Sequence, residues 1–299
     1  MSMQGGATAA ENGSGTEVDL PAPDQAADIV SLAAQLLRLK SRVGDIEALD
    51  QFSRALIGEI HEAIDGRGFC YHYQPIVSSS SGAVEGYEAL LRWQRRGESV
   101  APALFLPIAE EIGAMQRIQQ RLLDDVAMAY ATIPTAAFIG INWSPRQFLR
   151  ASAVSALIDR VRELQLDPKR IIIEITARAT PVDPDLVYLC VELLKDSGFQ
   201  VALDDLGGHH SSLSYLSHLP IDLIKLDASL VAGVERSQRV GQTLAAIIDF
   251  VHQLGLRVIA KGVQTQVQVR TLRRLGCDLL QGQLFGAPAR EPQPIKANG

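Results

Sequence analysis

Cysteine is scarce in this chain: Cys70, Cys190 and Cys277 are the only three in 299 residues, far apart and without CxxC or Cys/His spacing. That excludes a disulfide framework or a zinc site and leaves buried free thiols. Long apolar runs are also missing, and none approaches the roughly 20 residues of a membrane span. The N-terminus has no basic region followed by an apolar core, which a secretory signal would require, so the expected location is cytoplasmic. Excess basic charge is the third absence. A formal charge of -6 and a pI near 5.6 speak against direct nucleic-acid binding, because counterion release needs a basic face. With 47% hydrophobic and 21% charged residues, the chain has the composition of an ordinary globular protein with room for one large domain.

Residues 1–24 are rich in Gly, Ala, Ser and Pro with little to bury, and read as a flexible tail. Over 25–50, Ile29, Leu32, Leu36, Leu39, Val43 and Ile46 recur at steps of three and four, the seam of a helix that Asp24 can cap. Such a short seam suits either a dimerising helix or an amphipathic helix lying on its own domain. A second helix is expected over 51–64, with Leu56 and Ile60 on one side and a stop at Asp65-Gly66. Beyond it, short apolar runs (CYHYQPIV, FIGINWS, RIIIEIT, FQVALDD, DLIKLD, LRVIAK and CDLLQG) alternate with helical stretches such as 152–164, 185–197 and 241–254. That alternation implies parallel strands joined by helices, and seven or eight units favour an α/β fold of the (β/α)8 barrel type over 51–293, with 294–299 as a tail. The polar stretch 94–99 and the segment 180–184 read as loops on that barrel.

Polar residues recur at or near the ends of these runs: Glu88 and Arg92 in YEALLRW, Asn142 in INWS, Glu174 in IEIT, Asp204 and Asp205 in ALDD, Lys225 and Asp227 in IKLD, Lys261 in IAKG, and Gln281 in LLQG. Any one of them is explained by a helix cap or by solvent. Together they mark the catalytic end of a barrel, which lies at the C-terminal ends of the strands. Oxygen-only ligands suit a hard cation such as Mg2+ or Mn2+, and an arginine can grip phosphate bidentately. The chemistry implied is metal-assisted handling of a phosphate ester.

The motifs YQPIV, EALLRW, PALFLPIAE, INWSPRQ, IEIT, ALDD, SSLSYLSHLPIDLIKLD, HQLGLRVIA and LGCDLLQG resemble, in that order, the EAL domain of bacterial cyclic di-GMP phosphodiesterases. The resemblance implies a modified (β/α)8 barrel, usually dimeric, that opens cyclic di-GMP to pGpG with two divalent metals. By position, Glu88, Asn142, Glu174 and Asp204 match the ligands of a first metal, and Asp205 matches a ligand of the second. Lys225 matches the lysine that orients the attacking water. Gln74, Arg92 and Gln281 match dinucleotide-contacting positions, and Leu90 and Asp227 are placed with that ligand-binding set.

Departures from the family pattern are concentrated around the second metal. AEGVET becomes AKGVQT, so Lys261 and Gln264 replace two acids; EITE becomes EITA, ending in Ala177; and DDFGTGYSS becomes DDLGGHHSS, with Leu206, Gly208, His209 and His210 changed. Glutamate to lysine alters the local charge by two units. An ammonium about 4 Å from a divalent ion would be repelled by roughly 8 kcal/mol at an effective dielectric near 20. Lys261 is therefore expected either to fill the second-metal position as an internal cation, pairing with Asp204 and Asp205, or to extend into water. Mg2+ or Mn2+ is then expected at one site or none. Three functional readings follow: a cyclic di-GMP receptor with little or no hydrolysis; an adapter that binds a protein partner without the dinucleotide; and a slow metal-dependent phosphodiesterase.

Overall fold

The computed structural model describes residues 46–293, apart from 67, 96, 145–146, 149–150, 177–182, 209–217 and 236, with side chains described from 54 onward. The chain divides into two units at Asp50/Gln51. The expected helix over 25–50 lies outside the described residues until α1, Ile46–Asp65. This helix runs through position 50 without a break, and buries Leu56, Ile60 and Ile64 at steps of four.

The barrel follows. β1 (Phe69–Ser78), β2 (Val84–Arg95) and β3 (Glu98–Val100) lead into α2 (Pro102–Glu111) and α3 (Met115–Tyr130). Next come β4 (Phe138–Trp143), α4 (Ala151–Glu163), β5 (Ile171–Thr176), α5 (Pro184–Asp196) and β6 (Gln200–Leu206). The chain continues through β7 (Leu223–Leu226), α6 (Ala228–Ala232), α7 (Gln238–Gln253), β8 (Arg257–Ala260), α8 (Gln266–Arg274) and β9 (Leu279–Gln281). Hydrogen bonds run β1-β9-β8-β7-β6-β5-β4-β2, and β1 also pairs with β2, which closes eight strands into a barrel with β3 on its margin. The expected helical stretches correspond to α4, α5 and α7.

Two details differ from the expectation. β1 is antiparallel to both its neighbours, β2 and β9, while the other seven barrel strands are parallel. Only residues 79–83 join β1 to β2, too short a link for the crossover a parallel pair requires. The stretch 94–99, expected as a loop, is a hairpin: Gln94 pairs with Ser99 and Arg95 with Glu98. This extension is held to α2 by Phe69, Trp93 and Phe105, whose ring centroids lie 5.4 to 5.7 Å apart.

Inside the barrel the floor is apolar. Ile76, Phe138, Ile172, Ala202, Leu223, Ile259 and Leu279 form one buried cluster. β2 contributes Gly86 at this level, where a Cβ would come within 2.4 Å of the Phe138 ring. The ring fills the space that a side chain at 86 would otherwise occupy.

Candidate functional site

Successive side chains on a strand face opposite ways, so the next inward residue lies two positions along. Stepping by two from the apolar floor toward the mouth gives Gln74 on reversed β1 and Glu88 on β2. The same step gives Gly140 then Asn142 on β4, Glu174 on β5, Asp204 on β6, Lys225 on β7, Lys261 just past β8, and Gln281 on β9. One polar layer therefore lies over one apolar layer, and the polar layer contains most of the expected site residues.

The layer is tightly bonded. Lys225, with no exposed side-chain surface, lies 2.5 Å from Glu174 Oε2 and 2.8 Å from Glu88 Oε2. Glu88 also accepts from Asn142 Nδ2 at 2.8 Å and from Gln281 Nε2 at 2.6 Å. The Gln281 amide reaches Gln74 Oε1 at 3.1 Å, and Gln74 in turn donates to the Gly286 carbonyl at 3.2 Å. Glu174, 1% exposed, occupies the space over Gly140, where a Cβ would stand 2.2 Å from Glu174 Oε1. Glycine at 140 is what allows a buried carboxylate at 174.

Lys261 pairs with both aspartates and does not extend into water. Its Nζ lies 2.7 and 3.0 Å from the two carboxylate oxygens of Asp204 and 2.6 Å from Asp205 Oδ1. Two consecutive residues of a regular strand could not meet one cation from the same side. Here β6 bulges: Leu203 pairs with Ile224 and Leu206 with Leu226, so Asp204 and Asp205 together oppose Lys225. Asp205 adopts a left-handed φ of 61, a conformation Asp tolerates better than most residues. The Asp205 backbone N–H is tied to Asp204 Oδ1 at 2.7 Å.

Burial and charge divide the glutamates. Burial, reinforced by neighbouring Glu88 and Asp204, outweighs Lys225 and raises Glu174 to about 8. Burial also opposes ionisation of Glu88, but Lys225, Lys261 and the hydrogen bonds from Lys225 and Gln281 prevail and lower it to about 2. Burial works against the charge on both lysines, and their carboxylate neighbours reverse it, so both are held above the usual lysine range.

Glu88, Glu174 and Asp204 are all buried, with one oxygen of each lying within 4.8 Å of the others. With the Asn142 amide beside them, this oxygen-only donor set suits one hard divalent cation and can hold Mg2+ or Mn2+. Beside the cluster, a cavity of about 300 Å³ reaches between β2, β4, α2 and α3, and Glu88, Leu90, Arg92 and Asn142 all line it. Arg92 Nη1 donates to the Leu91 carbonyl at 2.9 Å.

Other expected residues are placed differently. Asp227 caps α6, where its side chain accepts from Ser229 N at 2.9 Å. Gln264 lies at the start of α8, where its backbone N–H donates to Gln268 Oε1 at 2.7 Å. Ala177, His209 and His210 fall outside the described residues. Gln119 on α3 was missed by the strand-end reading. It is buried and its Nε2 donates to the Asn142 carbonyl at 3.0 Å. A glutamine in the otherwise apolar stripe Met115, Ile118, Leu122, Leu123 and Val126 was the signal that could have found it.

Comparison with known proteins agrees with this geometry. The family model described as EAL domain matches residues 57–288. MucR of Pseudomonas aeruginosa, a bifunctional diguanylate cyclase/cyclic di-GMP phosphodiesterase, is 32% identical over 238 residues, covering 78% of this chain and 35% of that protein. An uncharacterized protein of Azorhizobium caulinodans is 36% identical over 224 residues, covering 72% of this chain and 30% of its own length. The chain thus spans about a third of the curated relatives it matches. Among solved structures, a cyclic di-GMP complex of the MucR phosphodiesterase superposes with a TM-score of 0.72 at 31% identity, covering 79% of this chain and 97% of that one. An EAL domain protein from Listeria monocytogenes gives 0.70 at 28% identity, covering 78% and 93%. With the closed barrel, its reversed first strand and the acidic cluster all in place, the chain belongs to the EAL-domain family.

Proposed function

We propose that this barrel binds cyclic di-GMP and serves as a signalling regulator, with little or no hydrolysis of the dinucleotide. The observation that carries the reading is the Lys261 ammonium seated on Asp204 and Asp205. Glu88, Glu174, Asp204 and Asp205 bring four negative charges once Glu174, whose pKa burial raises, also gives up its proton, and Lys225 and Lys261 bring two positive ones, so the fully ionised layer carries two units of negative charge. One divalent cation at Glu88, Asn142, Glu174 and Asp204 neutralises that charge, and a second would meet Lys261 with repulsion. A bound divalent cation would supply Lewis-acid contact to a phosphate oxygen. The remaining roles belong to this chain's own residues. Arg92 offers its guanidinium in the cavity, and Gln74 and Gln281 present amides at the mouth. Gln281 Oε1 is buried with no partner among the described residues, and a ligand donor would reach it only if the Gln281 amide turned. Occupancy is then relayed to a protein partner or across a homodimer.

Calorimetry with cyclic di-GMP, with and without Mg2+ or Mn2+, tests the binding. Saturable heat without pGpG is the expected result, no heat at high concentration would transfer the role to the protein-adapter reading, and pGpG formed at an ordinary enzymatic rate would sink both. The intact Glu88, Glu174 and Asp204 triad favours one further reading, a slow Mn2+-dependent phosphodiesterase. That reading requires pGpG to accumulate over long incubation and to vanish in Glu174→Gln.

A further inference from the structure

Two glutamines outside the charged layer form a second bonded unit. Gln119 on α3 is 4% exposed and Gln147, just beyond β4, is 9% exposed. Their amides face each other: Gln119 Nε2 donates to Gln147 Oε1 at 3.2 Å, and Gln147 Nε2 donates back to Gln119 Oε1. Each also holds the backbone between them. Gln119 Nε2 donates to the Asn142 carbonyl at 3.0 Å, and Gln147 Oε1 accepts from Ser144 N at 2.9 Å. The backbone on both sides of Trp143 is therefore pinned to α3. A fold needing only apolar packing at 119 would place an aliphatic residue there, as at Ile118 and Leu122, because burying two primary amides demands that every donor and acceptor be met.

We infer that Gln119 is a positioning residue for the cation site, acting through Asn142. Fixing the Asn142 carbonyl fixes where its side chain departs from β4. That side chain donates its Nδ2 to Glu88 Oε1, and its amide oxygen is the atom that would meet a cation. Gln119 also lines the cavity, on the helix that supplies Met115 to the same wall. The amide pair thus ties the cavity wall to the donor set. This inference rests on the proposed cation at that donor set and not on the identity of the dinucleotide.

The test uses the full chain and Mn2+ alone, with free Mn2+ counted by electron paramagnetic resonance and stability followed by thermal melting. Gln119→Met keeps the volume but removes the donor. Mn2+ affinity is expected to fall roughly 10-fold or more, the usual scale for losing a group that orients a metal ligand, and the melting temperature to fall as well because the buried Gln147 Nε2 loses its acceptor. The double variant Gln119→Met/Gln147→Met removes the orphaned amide. It should regain much of the stability while Mn2+ binding stays weak. Recovery of both together, unchanged Mn2+ affinity in the single variant, or no Mn2+ binding by the wild-type chain would each overturn the inference. The receptor reading fails separately, by absence of heat with cyclic di-GMP, and a chain that loses Mn2+ on Gln119→Met yet never binds the dinucleotide would keep this inference while ending that one.

Discussion

Lys225 lies on β7 and Lys261 just past the end of neighbouring β8, each two residues beyond an apolar floor residue, Leu223 and Ile259. Their partners could hardly differ more. Lys225 is fully buried and joins glutamates from β2 and β5, so it braces the barrel from across its interior. Lys261 retains 20% side-chain exposure and joins two adjacent aspartates of one bulged strand at the rim. A cation can thus be part of the frame or can fill a place in the mouth, and the topology of its partners, more than their distance, separates the two roles.

The largest expected effect breaks the frame. Lys225→Met leaves two buried carboxylates without their cation and should destabilise the chain by about 3–5 kcal/mol, read by urea unfolding; a loss below about 1 kcal/mol would remove the bracing role. Gly140→Ala comes next. Its methyl group enters the space of Glu174 and loosens the Lys225 pair, at an expected cost of roughly 1–3 kcal/mol. Lys261→Gln should cost less, about 1–3 kcal/mol, because Lys261 and Asp205 keep 20% and 25% of their side-chain surface exposed while Asp204 is buried, and should tighten Mn2+ binding. Equal losses from Lys225→Met and Lys261→Gln would erase the distinction between frame and filler. The smallest effect is in alkaline solution. Lys261 is held above its ordinary 10.5, so its contribution is complete below that pH and fades as pH rises through the folded value. The stability gap between wild type and Lys261→Gln should therefore narrow above about pH 10.5, with a gap that widens counting against the ion pair.

Much of this was legible in the chain because strand side chains obey a period of two. Glu88, Asn142, Glu174, Asp204, Lys225 and Gln281 each follow an apolar residue by two or four positions on an inward face, and a polar residue at the end of such a run is visible without coordinates. The reversal of β1 was legible too, in the five residues 79–83, but was masked by the surrounding alternation of strands and helices. The Asp204-Asp205 bulge left no mark in the sequence: adjacent acids suggest opposite faces, and only a left-handed φ at Asp205 brings both to one lysine. Gln119 was hidden because it acts from a helix on a backbone carbonyl, where no motif points. Asp227 resembled a ligand-binding residue by position, and its side chain caps α6, the ordinary work of an aspartate ahead of a helix.

The reversed first strand also decides where force enters the barrel. Phe69 pairs with Trp93 far along β2, while Val77 pairs with Val84 at its start, so the chain comes in at the mouth and descends to the floor. A tug on the backbone at Gly68 therefore acts first at the end of the barrel that carries Lys261, Gln74 and Gln281.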